Sequence, residues 1–483
     1  MILVPLFLVP VAAILGLAAA WGRSRIEAAI VASMSVANLA AVWHAVPHAE
    51  AGLDYVFGGW PAGIGIALRL DMLSAVMLAL TACVMTAASL YHLGSTFEGS
   101  KGTENPVYHL TFPLVLLALN GLFLTHDLFN FYVFFELLAV SSYVLVAVGK
   151  YFPREAAWKY AVQSIVGSTA LLIGVAVVYA HAGTLHMGDA SEALTAPPAH
   201  AAPFFLAAFL LKGSLFPFHF WQQDAHAAAT SPGSAILAGL LINVGMYGLM
   251  RLWPLLFGTA FHGVLVWLGA GSIVFGAVAA WRQADAKRLL GFSSVSQLGF
   301  VLLGLGWGTV GTTAAALLFL VHHGVSKALL FLCTGALSDP RGGAALQMLR
   351  GTGRGLPWLQ VGFGVGALSL VGMPPTLGLV GKLALLKEGF DLMRWPGAAL
   401  ILVGSLLTLG YASRAHRILF WEQVQVQERA PGSPPSAARV PALVGVAIAL
   451  LALTVLLAGA AGGGLWTLCQ AAARVSLSVR GAP

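Results

Sequence analysis

Apolar stretches close to twenty residues long, separated by short polar interruptions, recur along almost the whole chain. A helix needs about 20 residues to cross ~30 Å of hydrocarbon, and lipid satisfies no backbone amide, so each stretch is predicted to be a transmembrane helix. The pattern places these helices at residues 2–20, 26–46, 66–92, 108–125, 128–149, 158–182, 201–221, 232–253, 260–281, 292–309, 311–338, 358–389, 396–420 and 438–460. The fold class is therefore an all-α polytopic membrane protein with about 14 transmembrane helices, residues 1–483 forming a single transmembrane domain. The stretch Met1–Ala20 lacks a basic n-region and a second span follows at once, so it reads as the first helix and not as a secretory signal.

Composition supports this: hydrophobic residues make up 59%, charged residues 9%, and the mean hydropathy is +0.86, which excludes a soluble globular chain. Charge placement adds an orientation. Most of the 25 Lys and Arg residues follow odd-numbered spans, namely Arg23, Arg25, Lys101, Lys150, Arg154, Lys159, Arg282, Lys287, Arg288, Arg341, Arg350, Arg354, Arg414, Arg417, Arg429 and Arg439. Arg69, Arg251, Lys387, Arg394, Arg474 and Arg480 follow even-numbered spans or lie in the tail. The positive-inside rule then predicts a multi-pass protein of the cell membrane with both termini on the non-cytoplasmic side. Basic loops facing anionic headgroups account for the net charge of +7, so no nucleic-acid partner is needed. Cys83, Cys333 and Cys469 are scattered without metal-ligand spacing. Gly-rich runs such as Gly362–Gly366 sit inside apolar helices, where close packing explains them. Neither a cofactor nor a metal is expected on this chain.

Against this apolar background, Glu136, Lys212, Lys327 and Lys382 fall inside predicted spans. Each charge at bilayer depth costs about 2.5–3.5 kcal/mol on an insertion scale, which a purely structural protein avoids. Such residues mark routes for ions or protons. Glu136 has no charged neighbour in its own helix and must pair across helices or be protonated. A structural ion pair would look the same in sequence.

Two of the spans carry punctuation. Pro217 follows Lys212 in the seventh and predicts a kink or break at mid-membrane, the device by which transporters free backbone groups to line a wet cavity. His219 lies seven residues after Lys212, on nearly the same face if the helix survives the proline. In the twelfth span Pro374 and Pro375 precede Lys382. Two interrupted, lysine-bearing helices about five spans apart are what inverted repeats produce, here 108–253 and 260–420. Between them His322 and His323 stand beside Lys327, and His323 and Lys327, four apart, share a helix face suited to a proton relay. The tail, residues 461–483, is expected to lie along the membrane surface or against a neighbour.

Several of these segments resemble one family. The run Phe123–Leu138 with Asp-Leu-Phe-Asn before Glu136, Phe216–Trp221 with Asp224 and His226, Lys287–Gly299, His323–Ala328 and Gly372–Lys382 are similar to the antiporter-like membrane subunits. That family spans Mrp-type sodium/proton antiporters, energy-converting membrane-bound hydrogenases and respiratory complex I. The resemblance covers about residues 65–420. The stretch before Glu136 and Gly183–Met187 look most like the D-type component of Mrp antiporters and its hydrogenase-associated cousin, whereas Pro217–His226 looks more like complex I.

The resemblance implies a fourteen-helix fold with two inverted five-helix repeats, each with one broken helix. It further implies a proton-translocating subunit working with other membrane subunits, with sodium as the exchanged cation or, alternatively, with redox chemistry supplied by partner chains. By position, Glu136 would pair with Lys212 and gate it, His322, His323 and Lys327 would form the central hydrated stretch, and Lys382 would carry the proton on the exit side. One departure stands out. The family usually has a lysine in the eighth helix where this chain has Asn243, which orients water but carries no titrating proton. Ordered water bridging the gap, substitution by His219, or poor conduction would each accommodate it.

Overall fold

The computed structural model describes residues 2–59, 65–98, 105–148, 154–194, 196–423 and 440–477. Lys101, Lys150, Arg429, Arg439 and Arg480, which contribute to the predicted orientation, lie outside them. The chain runs α1 (Val4–Ala19), α2 (Ser24–Ala45), a hairpin of β1 (Leu53–Val56) and β2 (Ala67–Leu70), α3 (Met72–Phe97), α4 (Pro106–Leu124), α5 (Leu128–Ala147) and α6 (Arg154–Ala182). It continues through α7 (Met187–Ala193), α8 (Ala202–Lys212), α9 (Phe220–Ala228), α10 (Ser231–Ile236), α11 (Asn243–Phe257), α12 (His262–Trp281), α13 (Ala286–Trp307) and α14 (Val310–Ser338). After α15 (Leu346–Leu349) come α16 (Pro357–Val371), α17 (Leu377–Asp391), α18 (Trp395–Phe420), α19 (Ala442–Ala460) and α20 (Gly462–Leu477).

Eleven helices among the described residues are long and apolar enough to cross a membrane, and three shorter apolar ones, Val4–Ala19, Ala202–Lys212 and Pro357–Val371, fill the remaining predicted positions. The chain is a multi-pass membrane protein. The start of the third span differs from the hydropathy reading. The third span is expected from residue 66, but residues 67–70 pair as β2 with β1 and the helix starts only at Met72, where Asp71 accepts the Ser74 amide as its N-cap. The spans at 201–221 and 358–389 are each cut in two, as Pro217 and Pro374–Pro375 predict, and each is the fourth of its set of five. Asp127 caps α5 by accepting the Asn130 amide at 2.7 Å, and Asp285 caps α13.

Burial sorts the helices. The span of α10 and α11, joined by a π-helical turn at Leu237–Leu241, is wholly surrounded by protein, and α13 and α14 nearly so. By contrast α6, α12, α18 and α19 keep broad apolar faces outward, with Trp158 70% and Trp267 79% exposed, as lipid or a neighbouring subunit requires. Successive spans alternate in direction, so loops bearing Arg23, Arg288 and Arg350 share one face, called here the basic face. There Asp224 on α9 ties Lys159 of α6 to Arg288 of α13 at 3.1 and 2.8 Å. On the opposite face β2, Thr125–Asp127 and His186 are linked by backbone bridges. The helix α20 lays Cys469, Ala472, Ala473 and Ser476 against α3, α11 and α14 of this same chain.

Candidate functional site

Each break leaves the carbonyl end of a half-helix inside the protein, and each places a lysine there. Carbonyls left without amides carry partial negative charge, which an ammonium offsets. In the first break Lys212 is itself the last residue of α8, and the chain turns through residues 213–219 before α9. The turn can sit against α11 because of Gly245: a Cβ there would lie 2.3 Å from the Phe209 carbonyl oxygen and 2.6 Å from the Gly213 nitrogen. In the second break Lys382 reaches back from α17, and its Nζ donates to the carbonyls of Leu370 and Val371 at 2.9 and 2.8 Å, closing the end of α16.

Lys212 is buried, and its Nζ has no hydrogen-bond partner among the described residues. It lies 5.5 Å from the centre of the Phe135 ring and 5.8 Å from that of Tyr160, within cation–π range. Tyr160 stacks on Trp221 at 4.1 Å, whose indole donates to the Leu211 carbonyl. A cavity of about 10 Å³ adjoins this group, lined by Tyr160, Gln163, Ser164 and Trp221. That is room for roughly one water between the lysine and the unpartnered Gln163 oxygen. Glu136 is half-buried on α5, one of its oxygens lacks a partner, and no ion pair within 4 Å joins it to Lys212. The pair expected from the resemblance is open in this structure.

Across the centre, Asn243 of α11 meets His323 of α14, with Oδ1 and Nδ1 3.1 Å apart, and its amide donates to the Gly239 carbonyl in the π turn. One turn along α14, Lys327 Nζ donates to the Leu290 carbonyl at 2.8 Å and to Ser293 Oγ of α13. His322 points the other way, its Nε2 2.8 Å from the Ser369 carbonyl oxygen of α16, and Ser326 donates to Ser369 Oγ. Asn243, His322, His323 and Lys327 are all fully buried. Tertiary packing therefore assembles a column from Lys212 through Asn243, His323, Lys327 and His322 to Lys382. His219 stands apart. The helix does not survive Pro217, and the imidazole is ringed by Phe216, Phe220, Phe275 and Phe292 at 4.4–6.0 Å.

The junction at His322 is tight. A Cβ on Gly378 would lie 1.8 Å from the Ser369 carbonyl oxygen and 2.7 Å from His322 Nε2. Gly378→Ala is expected to push α17 off α16 and cost about 1–3 kcal/mol. The measure is the thermal midpoint of the purified complex, and an unchanged midpoint would show that the contact yields freely.

Two further buried polar groups do not stand out in the sequence. Arg251, grouped by the charge count with the loop after the span 232–253, lies inside α11 and forms a buried bidentate pair with Asp71, Nη1–Oδ2 2.5 Å and Nη2–Oδ1 2.8 Å. Its Nε donates to Tyr247, and with Asn243 the three residues recur every four positions on one face of α11, a spacing that could have revealed them. The pair floors a cavity of about 250 Å³ on the opposite face, lined also by Arg69, His126, Glu192 and Ser476. Burial and the Arg251 guanidinium hold the imidazole of His126, in the loop before α5, down at about 3, so it stays neutral. The second group surrounds Glu27 and His109. Among the described residues no group of three or more His, Cys, Asp or Glu side chains could hold a metal ion.

Residues 125–408 match the family described as NADH:quinone oxidoreductase/Mrp antiporter, TM. The chain belongs to this family. It is 34% identical over 436 residues to the D component of the Na(+)/H(+) antiporter of Alkalihalophilus pseudofirmus, covering 88% of this chain and 86% of that one. Its fold is similar to a chain of the Mrp complex from Dietzia sp. DQ12-45-1b, with a TM-score of 0.88, 26% identity and coverage of 99% and 97%. A chain of respiratory complex I from Thermus thermophilus gives a TM-score of 0.83 at 26% identity, with 100% of both chains covered. Every member of the column is fully buried or nearly so, and all of them, like the half-buried Glu136, lie within the matched segment.

Proposed function

We propose that this chain is the proton-conducting, D-type member of a multisubunit Mrp-type sodium/proton antiporter. The observation that carries the reading is the buried lysine column built across two broken helices. Titratable cations at this depth are costly and are retained where ions or protons move. Glu136 gates Lys212 by approaching or leaving it; an approaching carboxylate favours the protonated amine and a departing one releases its proton inward. Asn243 orients water between Lys212 and His323, and charge then passes by Lys327 and His322 to Lys382. Residues 108–253 and 260–420 act as two repeats around this column. Other membrane subunits complete the sodium path, and the complex sits in the cell membrane with both termini on the non-cytoplasmic side.

The test is the purified assembly in sealed vesicles carrying a pH-sensitive dye. A sodium gradient is expected to drive proton movement, and Lys382→Ala is expected to reduce it to the rate of empty vesicles. Sodium-independent behaviour of the intact complex would remove the antiporter assignment. The full-length likeness to a complex I chain supports a second reading, a proton-pumping component of a redox-driven complex. Mass spectrometry of the intact assembly separates the two, since only the second predicts co-purifying flavin or iron–sulfur subunits.

A further inference from the structure

A buried set of titratable groups lies outside the lysine column. Glu27, in the first turn of α2, accepts the amide of exposed Gly22 on Oε1 at 2.8 Å, and its Oε2 is 2.9 Å from His109 Nδ1 on α4. The His109 ring meets His92 of α3 edge-on at 4.8 Å, and His92 meets Tyr108 at 5.1 Å while stacking on Phe112. The Tyr108 hydroxyl is 2.5 Å from Thr230 Oγ1, the N-cap of α10. Glu27, His92, His109 and Tyr108 are at most 1% exposed. We propose that Glu27, His109, His92, Tyr108 and Thr230 form a proton-uptake branch leading from the basic face to the turn between α9 and α10. It deepens the reading of proton conduction and rests on it.

The turn is where such a branch meets the column. Four residues before Thr230, the His226 ring packs on Phe331 at 4.4 Å, one helical turn along α14 from Lys327. Neither nitrogen of His92 has a hydrogen-bond partner among the described residues, and the same holds for Thr334 Oγ1, Ser338 Oγ and His226 Nδ1. Water is the partner that such buried atoms would take, at His92 on α3, Thr334 and Ser338 on α14 and His226 on α9. The other groups facing the branch are Tyr91 and Ser231, which donate to Asp339 at 3.1 and 2.8 Å, and Lys287, which donates to the Ala229 carbonyl. A structural ion pair needs only Glu27 and His109. It leaves unexplained a second imidazole with both nitrogens open and a tyrosine–threonine hydrogen bond aimed inward.

The proton balance closes. A protonated Glu27 gives its proton to His109 Nδ1, leaving carboxylate and imidazolium, and the imidazolium passes one on through water to His92. Tyr108 takes that proton on its oxygen as its own hydroxyl proton leaves to Thr230 and the water beyond. Glu27 regains its proton from water at the basic face, and each imidazole, left as the opposite tautomer after passing a proton from one nitrogen to the other, recovers its starting form by turning its ring.

The experiment measures transport by the reconstituted complex against pH on the side of the basic face. His92→Phe keeps the stack on Phe112 and removes both nitrogens; Tyr108→Phe removes one hydroxyl and serves alone if the first variant does not assemble. Both are expected to lower the rate roughly tenfold or more at alkaline pH, where proton supply limits, and to meet the wild-type rate at acidic pH. A profile that is unchanged, or lowered equally at every pH, overturns the branch. Lys212→Ala runs alongside: if it is inactive the column stands whatever His92 does, and if it is fully active the parent reading fails instead.

Discussion

Replacing Lys212 with alanine is expected to reduce proton movement by at least about a hundredfold while the complex still assembles. Both halves follow from its surroundings. The ammonium donates no hydrogen bond to the described protein, so its removal orphans no acceptor. What is lost is contact with the Phe135 and Tyr160 rings, on the order of 0.5–2 kcal/mol, against which stands relief from burying an unpaired charge. Transport suffers because the amine is the titrating group at the end of α8, between Glu136 and the Asn243–His323 contact. Lys212→Arg separates charge from titration. A guanidinium keeps its proton at any working pH, so this variant should also be inactive in vesicles although its charge is retained. Full transport by the arginine variant would show that Lys212 supplies only a fixed positive field.

The spans were legible in the sequence because hydrocarbon imposes one rule on every segment, and Pro217, Pro374 and Pro375 betrayed both breaks. What the pattern could not show was which polar atoms meet across helices. Lys327 reads as an isolated charge until α13 brings the Leu290 carbonyl and Ser293 to it, and Lys382 until its own helix folds back onto α16. Arg251 was grouped with the following loop because it stands two residues from the end of the predicted span at 253, whereas α11 runs on to Phe257. Glu27, His92 and His109 escape notice for a different reason. Each lies within two turns of a span end, where polar residues are ordinary, and only the packing of α2, α3 and α4 sinks them out of water. Similarly, residues 66–70 are apolar enough for a helix but are drawn into pairing with β1.

Parting Asp71 from Arg251 is expected to be the most destabilising single change away from the column, about 3–5 kcal/mol. The guanidinium is 5% exposed and commits two nitrogens to the carboxylate, one of them also to Ser74 Oγ, and its Nε to Tyr247. Asp71→Leu leaves that cation buried without its counter-charge and also removes the N-cap of α3, a further loss of about 1 kcal/mol. Asp71→Asn keeps the cap and loses only the charge, so it isolates the electrostatic part. The double variant Asp71→Asn/Arg251→Met removes both charges and should recover most of the loss, because a neutral, well-packed pair has no desolvation penalty to offset. Thermal unfolding of the purified complex measures all four proteins. Equal losses in Asp71→Asn and the double variant would mean that the two charges do not stabilise each other, and a wild-type midpoint in Asp71→Leu would mean that water reaches Arg251 from the adjoining cavity and solvates it.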